Sequence, residues 1–322
     1  MVASRCTLPP IVKYQPSAWE TEWRSTLARR VQFDNPRNWT RGCNLMAPET
    51  AAIKAWLDFA KVRRPLYRKG TPPEPPEEAK EVLSFHALQD ACTHRVLELR
   101  PMEPLVGFLR HPEAHCRQFP SAVPWIRNII SKVYLIPAWH AEAWPHGRTR
   151  ALFFDLGASL YHTGNGGASM SWFVNEYRVR GIQFDRIFAW EASRYTDALI
   201  YETMPPHIVD RISYYNLPAN QTRGAKHNPW RTLRAVATKS DFVVVKIDID
   251  NTPIEEALID ELLADRATSA LIDEFYFEHH VRNTPMWHYG WSGGTVTTHT
   301  LPNSYEIFGR LRELGIRAHS WV

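Results

Sequence analysis

The stretch that decides the fold is Asp241-Phe-Val-Val-Val-Lys-Ile-Asp-Ile-Asp-Asn251. Val243 to Val245 form a continuous apolar run, which reads as a strand buried on both faces. The run then changes to Lys246, Asp248 and Asp250 at alternate positions, so a strand would carry all three side chains on one face. Charged groups at the carboxyl end of a buried strand are costly unless they are paired, hydrogen-bonded or bound to a ligand. The end of this strand is therefore the first place to look for chemistry.

Working outward, strand-like runs at 151–156, 186–190, 211–215, 241–249 and 271–277 alternate with helical spacing at 170–179, 253–264 and 304–314. Alternation of this kind predicts an α/β fold, a mostly parallel sheet with helices on both faces. Ligands of such sheets bind beyond the carboxyl ends of the strands, where strand order reverses.

Three other strand ends carry candidate residues. The first, Phe154-Asp155-Leu-Gly157-Ala-Ser159, turns on a glycine, and Gly164-Asn-Gly-Gly167 follows. The second ends in Trp190-Glu191, where a carboxylate can grip ribose hydroxyls. The fifth ends in Phe277-Glu278-His279-His280; adjacent histidines point to opposite faces, so at most one is expected to act as a base.

The rest of the chain looks different. Residues 1–149 carry a balance of +7 and residues 150–322 one of −3, within a total of +4 over 322 residues. That total is too mild to indicate nucleic-acid binding. The first 147 residues read as a mainly helical, proline-rich region, a cap or a protein interface, with helices at 17–31, 48–62, 77–99 and 121–133. Ser17 and Glu20 form a candidate capping box, and Thr71 to Pro76 a rigid break. Cys6, Cys43, Cys92 and Cys116 are sparse, which favours reduced thiols over a disulfide framework. Cys92, His94, His111, His115 and Cys116 match no standard zinc spacing. Two sequons start at Asn38 and Asn220 and matter only in a secretory lumen. No run approaches the roughly 20 apolar residues of a membrane span, and the N-terminus has no signal-peptide core. A soluble chain is expected, cytoplasmic by default and lumenal if a leader has been removed.

Taken together, Asp155-Leu-Gly157-Ala-Ser159, Glu191, Lys246-Ile-Asp248-Ile-Asp250-Asn251 and Glu278-His279 resemble the class I S-adenosylmethionine-dependent methyltransferases, within them the FkbM-like O-methyltransferases. The similarity covers roughly residues 148–322, including Tyr305 to Arg317 as the last helix and strand. It implies a Rossmann-like domain that binds S-adenosylmethionine and methylates a hydroxyl on a small molecule or carbohydrate. Asp155, Gly157 and Ser159 would flank the methionine part of the cofactor, Glu191 would bind the ribose, and Asn216 would lie near the adenine. Asp248 and Asp250 would face the methyl group and acceptor, with His279 or His280 close by. The acceptor base and any divalent metal, which Asp248 or Asp250 could hold, stay open. Met286 to Trp291 would lie where the acceptor docks.

Three features depart from the family pattern. Asp155 and Glu191 are 36 positions apart, against roughly 20 in a compact unit. Asp250-Asn251 replaces Glu-Gly, and a single strand, Arg317 to Val322, is expected where the family has a closing hairpin. These departures leave room for two alternatives. One is a catalytically inactive subunit with a structural or assembly role. The other is a metal-dependent glycosyltransferase using Asp248-Ile-Asp250 as its D-x-D.

Overall fold

A computed structural model describes residues 10–27, 36–61, 74–112, 114, 129–137, 150–163, 169–282, 284–288 and 297–321. The expected helix at 121–133 and the clusters at Gly164–Gly167 and Tyr289–Trp291 fall wholly or largely outside these residues.

The second half is an α/β domain. Its strands are β4 (Ala151–Leu156), β5 (Arg186–Trp190), β6 (Ile212–Tyr215), β7 (Phe242–Ile247), β8 (Glu274–Phe277) and β9 (Arg317–Ser320). They form one six-stranded sheet in the order β6-β5-β4-β7-β8-β9, and every pairing is parallel. The chain runs outward one way from β4 to β6, then returns to β7 beside β4. The switch point therefore lies between the ends of β4 and β7, and both strands are buried throughout. The helices are α5 (Ser169–Val179), α6 (Asp197–Tyr201), α7 (Pro206–Val209), α8 (Pro229–Val236), α9 (Thr252–Ala264), α10 (Arg266–Ser269) and α11 (Leu301–Glu313). Aromatic rings fill the space between α5 and the sheet: Phe173 lies 4.7 Å from Phe153 and 4.8 Å from Trp321 between ring centroids.

The first half departs from expectation. Residues 77–99 do not form a helix. A short α4 (Glu77–Lys80) is followed by β2 (Ser84–Gln89) and β3 (Val96–Met102), which join β1 (Ile11–Gln15) in an antiparallel sheet. The break is an Asx turn, in which Asp90 Oδ1 accepts from the backbone N–H groups of Cys92 and Thr93. The described helices of this half are α1 (Ala18–Glu22), running into a π turn at Trp23–Leu27, then α2 (Pro36–Met46) and α3 (Thr50–Ala60) besides α4. The cysteine expectation is also corrected, because Cys43 and Cys92 each take part in a disulfide and no described cysteine is free.

The halves are welded by buried charge. Ser17 caps α1 by accepting from Glu20 N at 3.1 Å, but the Glu20 carboxylate does not reach back to complete a capping box. It turns inward instead, where it accepts from Ser84 Oγ at 2.7 Å and Leu105 N at 2.9 Å and lies 3.5 Å from Arg312 of α11. Arg312 is fully buried and also reaches Tyr14 of β1 and Glu103. Arg317 of β9 donates to Pro101 O and Ile136 O in the first half and to Glu274 in the second. Buried charges of this kind are tolerable only when each is paired and hydrogen-bonded, and here the pairs run across the junction. No helix among the described residues is long and apolar enough to cross a membrane.

Candidate functional site

A cleft of about 580 Å³ opens at the switch point, lined by Gly157, Ser159, Trp190, Glu191, Lys246 and Asp248 among others. That volume lies within the range usual for small-molecule sites.

The floor is set by a close approach of two loops. Gly157 has φ +82°, and a Cβ placed on it would lie 1.6 Å from the carbonyl oxygen of Asp248. Asp248 N donates to Leu156 O, and Gly157 N to Trp190 O. The ends of β4, β5 and β7 are thereby locked together, and only glycine fits the crossing.

Ser159 and Asp250, both non-glycine, also have positive φ, +50° and +54°. Such backbone is held in place by its surroundings and concentrates at functional sites. At Ser159 the holding bonds are visible. Its N–H donates to Glu191 Oε2 at 2.8 Å, and its carbonyl accepts from Tyr214 Oη at 2.7 Å. Glu191 Oε1 also accepts from Ser193 N at 2.6 Å, so the carboxylate organises both loops while still facing the cleft.

Asn216 is placed differently from its expected role. Its side chain accepts from Tyr195 N and donates to the carbonyls of Ser193 and Glu191, making it a brace for the Glu191–Tyr195 loop rather than a cleft wall. The wall there is built by Tyr195, Pro218 and Ala219, which sequence reasoning missed. Asp155 likewise lies beneath the cleft. It is fully buried, and its partner is Lys246 at 3.2 Å. Burial raises its carboxyl above the usual range despite that cation.

Lys246 is the centre of the site. Its ammonium is 3.2 Å from both Asp155 and Asp248 and donates to Gly157 O at 2.6 Å. Burial opposes its charge, but the two carboxylates outweigh burial and raise its pKa. Lys246 and Asp248 do share a face. Strand geometry ends at Ile247, however, and Asp250 swings outward with its side chain 66% exposed. Asn251 caps α9 by accepting from Ile254 N.

Asp248 and Glu278 are neighbouring carboxyls that share a hydrogen bond, and their environments push them in opposite directions. Burial raises Asp248 well above the ordinary range. Glu278, despite burial, is held down by His280, whose Nε2 lies 3.2 Å from Glu278 Oε2. His280 is also 3.7 Å from Asp250, and one ligand atom from each of Asp250, Glu278 and His280 lies within 4.8 Å of the others. His279 points the other way, to Ser304 and His299, and burial lowers its pKa to about 3. The pair is split between two faces, and only His280 joins the cleft-side carboxylates.

The basic first half reaches the back of the site. Lys132 Nζ lies 4.7 Å from the Trp321 ring centroid, and Trp321 Nε1 donates to Asp248 Oδ2 at 3.1 Å. Burial, partly opposed by Asp248, lowers the Lys132 pKa to about 8. Arg110 donates to Ser320 Oγ on the same strand end. The loose Cys/His grouping at 92–116 contains a disulfide-bonded Cys92, which removes that thiol as a metal ligand.

Comparison of the chain with protein-family models, curated proteins and solved structures gives no match.

Proposed function

We propose that this protein is an S-adenosylmethionine-dependent methyltransferase acting on a hydroxyl of a small molecule or carbohydrate. The observation that carries the reading is the cleft at the β4/β7 switch point, with Glu191 at one side and Lys246, Asp248 and Asp250 at the other. The residues fit the cofactor. Glu191 offers two acceptor oxygens for ribose, Tyr195, Pro218 and Ala219 offer a largely apolar wall for a purine, and the cleft has the volume for both.

When bound, the cofactor supplies a methyl group on a sulfonium carbon, open to in-line attack. The chain has to orient the acceptor oxygen and take its proton. Asp248, engaged by Lys246, Trp321 and Glu278, is placed to orient the acceptor rather than to act as base. Asp250, exposed towards the cleft and backed by His280, is the better base. A divalent metal held by Asp250, Glu278 and His280 would lower the hydroxyl pKa instead. His279 takes no part in this reading.

The inactive-subunit alternative has one observation in its favour: both oxygens of Glu191 already accept backbone N–H groups. The D-x-D alternative is weakened by Asp248, which is committed to Lys246, Trp321 and Glu278.

Calorimetric titration with S-adenosylhomocysteine tests the reading. Micromolar binding, weakened at least tenfold by Glu191→Ala, supports it. No binding at millimolar ligand by a folded chain favours the inactive subunit. Binding of a UDP-sugar with Mn²⁺ in its place favours the glycosyltransferase.

A further inference from the structure

On the far side of the β8 terminus from the cleft, three side chains from three elements converge. His279 leaves β8, Glu256 lies on α9, and His299 lies just before α11. His279 Nε2 is 2.9 Å from His299 Nδ1, and that same nitrogen is 3.1 Å from Glu256 Oε1. All three ligand atoms lie within 4.8 Å of one another.

We propose that Glu256, His279 and His299 form a tetrahedral divalent-cation site of the zinc class, separate from the cleft. Ligands about 2.0–2.1 Å from zinc at tetrahedral angles stand about 3.3 Å apart. The two separations above are only slightly shorter, so small side-chain movements admit the ion. The donor set, two imidazoles and one carboxylate, is one that zinc favours.

The hydrogen bonding agrees. His299 Nδ1 faces both the Glu256 carboxylate and His279 Nε2, and in either tautomer it can satisfy only one of them. A cation in its place satisfies all three atoms at once. His279 Nδ1 is 2.7 Å from Ser304 Oγ, and a bond donated there leaves the Nε2 lone pair facing inward. Outer partners of this kind orient metal-bound histidines.

The consequence is structural. The ion ties α9 and the entry to α11 to the backbone at 278–280, which carries Glu278 and His280 on its other face. The fourth ligand position is open to water.

The test uses the full chain after chelation, titrated with Zn²⁺ by calorimetry and with Co²⁺ by visible absorption. The expected result is one equivalent bound, with the intense absorption of tetrahedral Co²⁺. His299→Ala and Glu256→Gln should each weaken binding at least tenfold, while Asp250→Asn leaves it unchanged. Both positions are only half-buried, and circular dichroism of the metal-free variants verifies folding. Wild-type affinity in both variants overturns the proposal. So does loss of binding in Asp250→Asn alone, which would move the ion to the cleft-side cluster. Absence of binding to the folded wild-type chain also overturns it.

Discussion

Trp321 Nε1 donates to Asp248 Oδ2 at 3.1 Å across 73 positions of sequence, joining the last described residue to the central strand end. On its other side the Trp321 ring faces Lys132 of the first half. Trp321→Phe keeps an aromatic ring against Phe173 and deletes the bond to Asp248. One such bond is worth about 1 kcal/mol. Turnover in a methyl-transfer assay should fall about five- to tenfold, with S-adenosylhomocysteine affinity unchanged within twofold. An equal loss in both would show that Asp248 serves binding rather than orientation of the acceptor.

Lys246→Met should be among the most damaging substitutions in the domain. It leaves Asp155 buried without its cation, a loss of about 3–5 kcal/mol for a broken buried pair. Adding Asp155→Leu removes the stranded charge and should recover much of the loss. Urea denaturation of both variants measures this. A double variant no more stable than Lys246→Met would show that Lys246 acts through Asp248 and Gly157 O instead. For the same reason, any effect of Asp155→Ala on cofactor binding should follow the loss of stability.

Gly157→Ala forces a methyl group into the Asp248 carbonyl and places alanine at φ +82°. The β4 and β7 loops must then separate. Thermal denaturation should show a fall of at least 10 °C, or no soluble folded chain; a shift under 3 °C would mean that the two loops part easily.

Acid should destabilise the fold through His86. This residue is buried on β2 with Nε2 2.9 Å from Arg312 O. Burial, reinforced by Arg317, lowers its pKa from 6.5 to about 3. The folded state therefore keeps the ring neutral while the unfolded chain takes up a proton below pH 6.5. The stability this group contributes is present above 6.5 and is lost as pH falls towards 3, at up to about 1.4 kcal/mol per pH unit. Denaturation midpoints between pH 7.5 and 5 should fall in the wild type and fall less in His86→Gln. Identical slopes would assign the acid sensitivity to other groups.

Much of the α/β half is legible because its signals are local. Ala151–Leu156 and Arg186–Trp190 coincide with their strands, since short apolar runs bounded by turns have few other uses. The β2–β3 hairpin was not legible. Val96, Leu97 and Leu99 are exposed on β3, which blurs the alternation that identifies a strand. The available signal was Asp90, whose Asx turn breaks the supposed helix.

The same division separates the candidate residues. Sequence alone determined which strand ends carry charge, because apolar runs and the turn after Asp155 are written in consecutive residues. It also determined that His279 and His280 face opposite ways, because side chains alternate along extended backbone. Only the tertiary structure decided that Asp155 and Asn216 support the cleft while Tyr195, Pro218 and Ala219 line it. Only the tertiary structure turned Glu20 from a capping residue into part of the buried junction with Arg312. The physical reason is range. Strand and turn preferences act over a few residues, whereas the cost of burying a charge is settled by partners that arrive from anywhere in the chain.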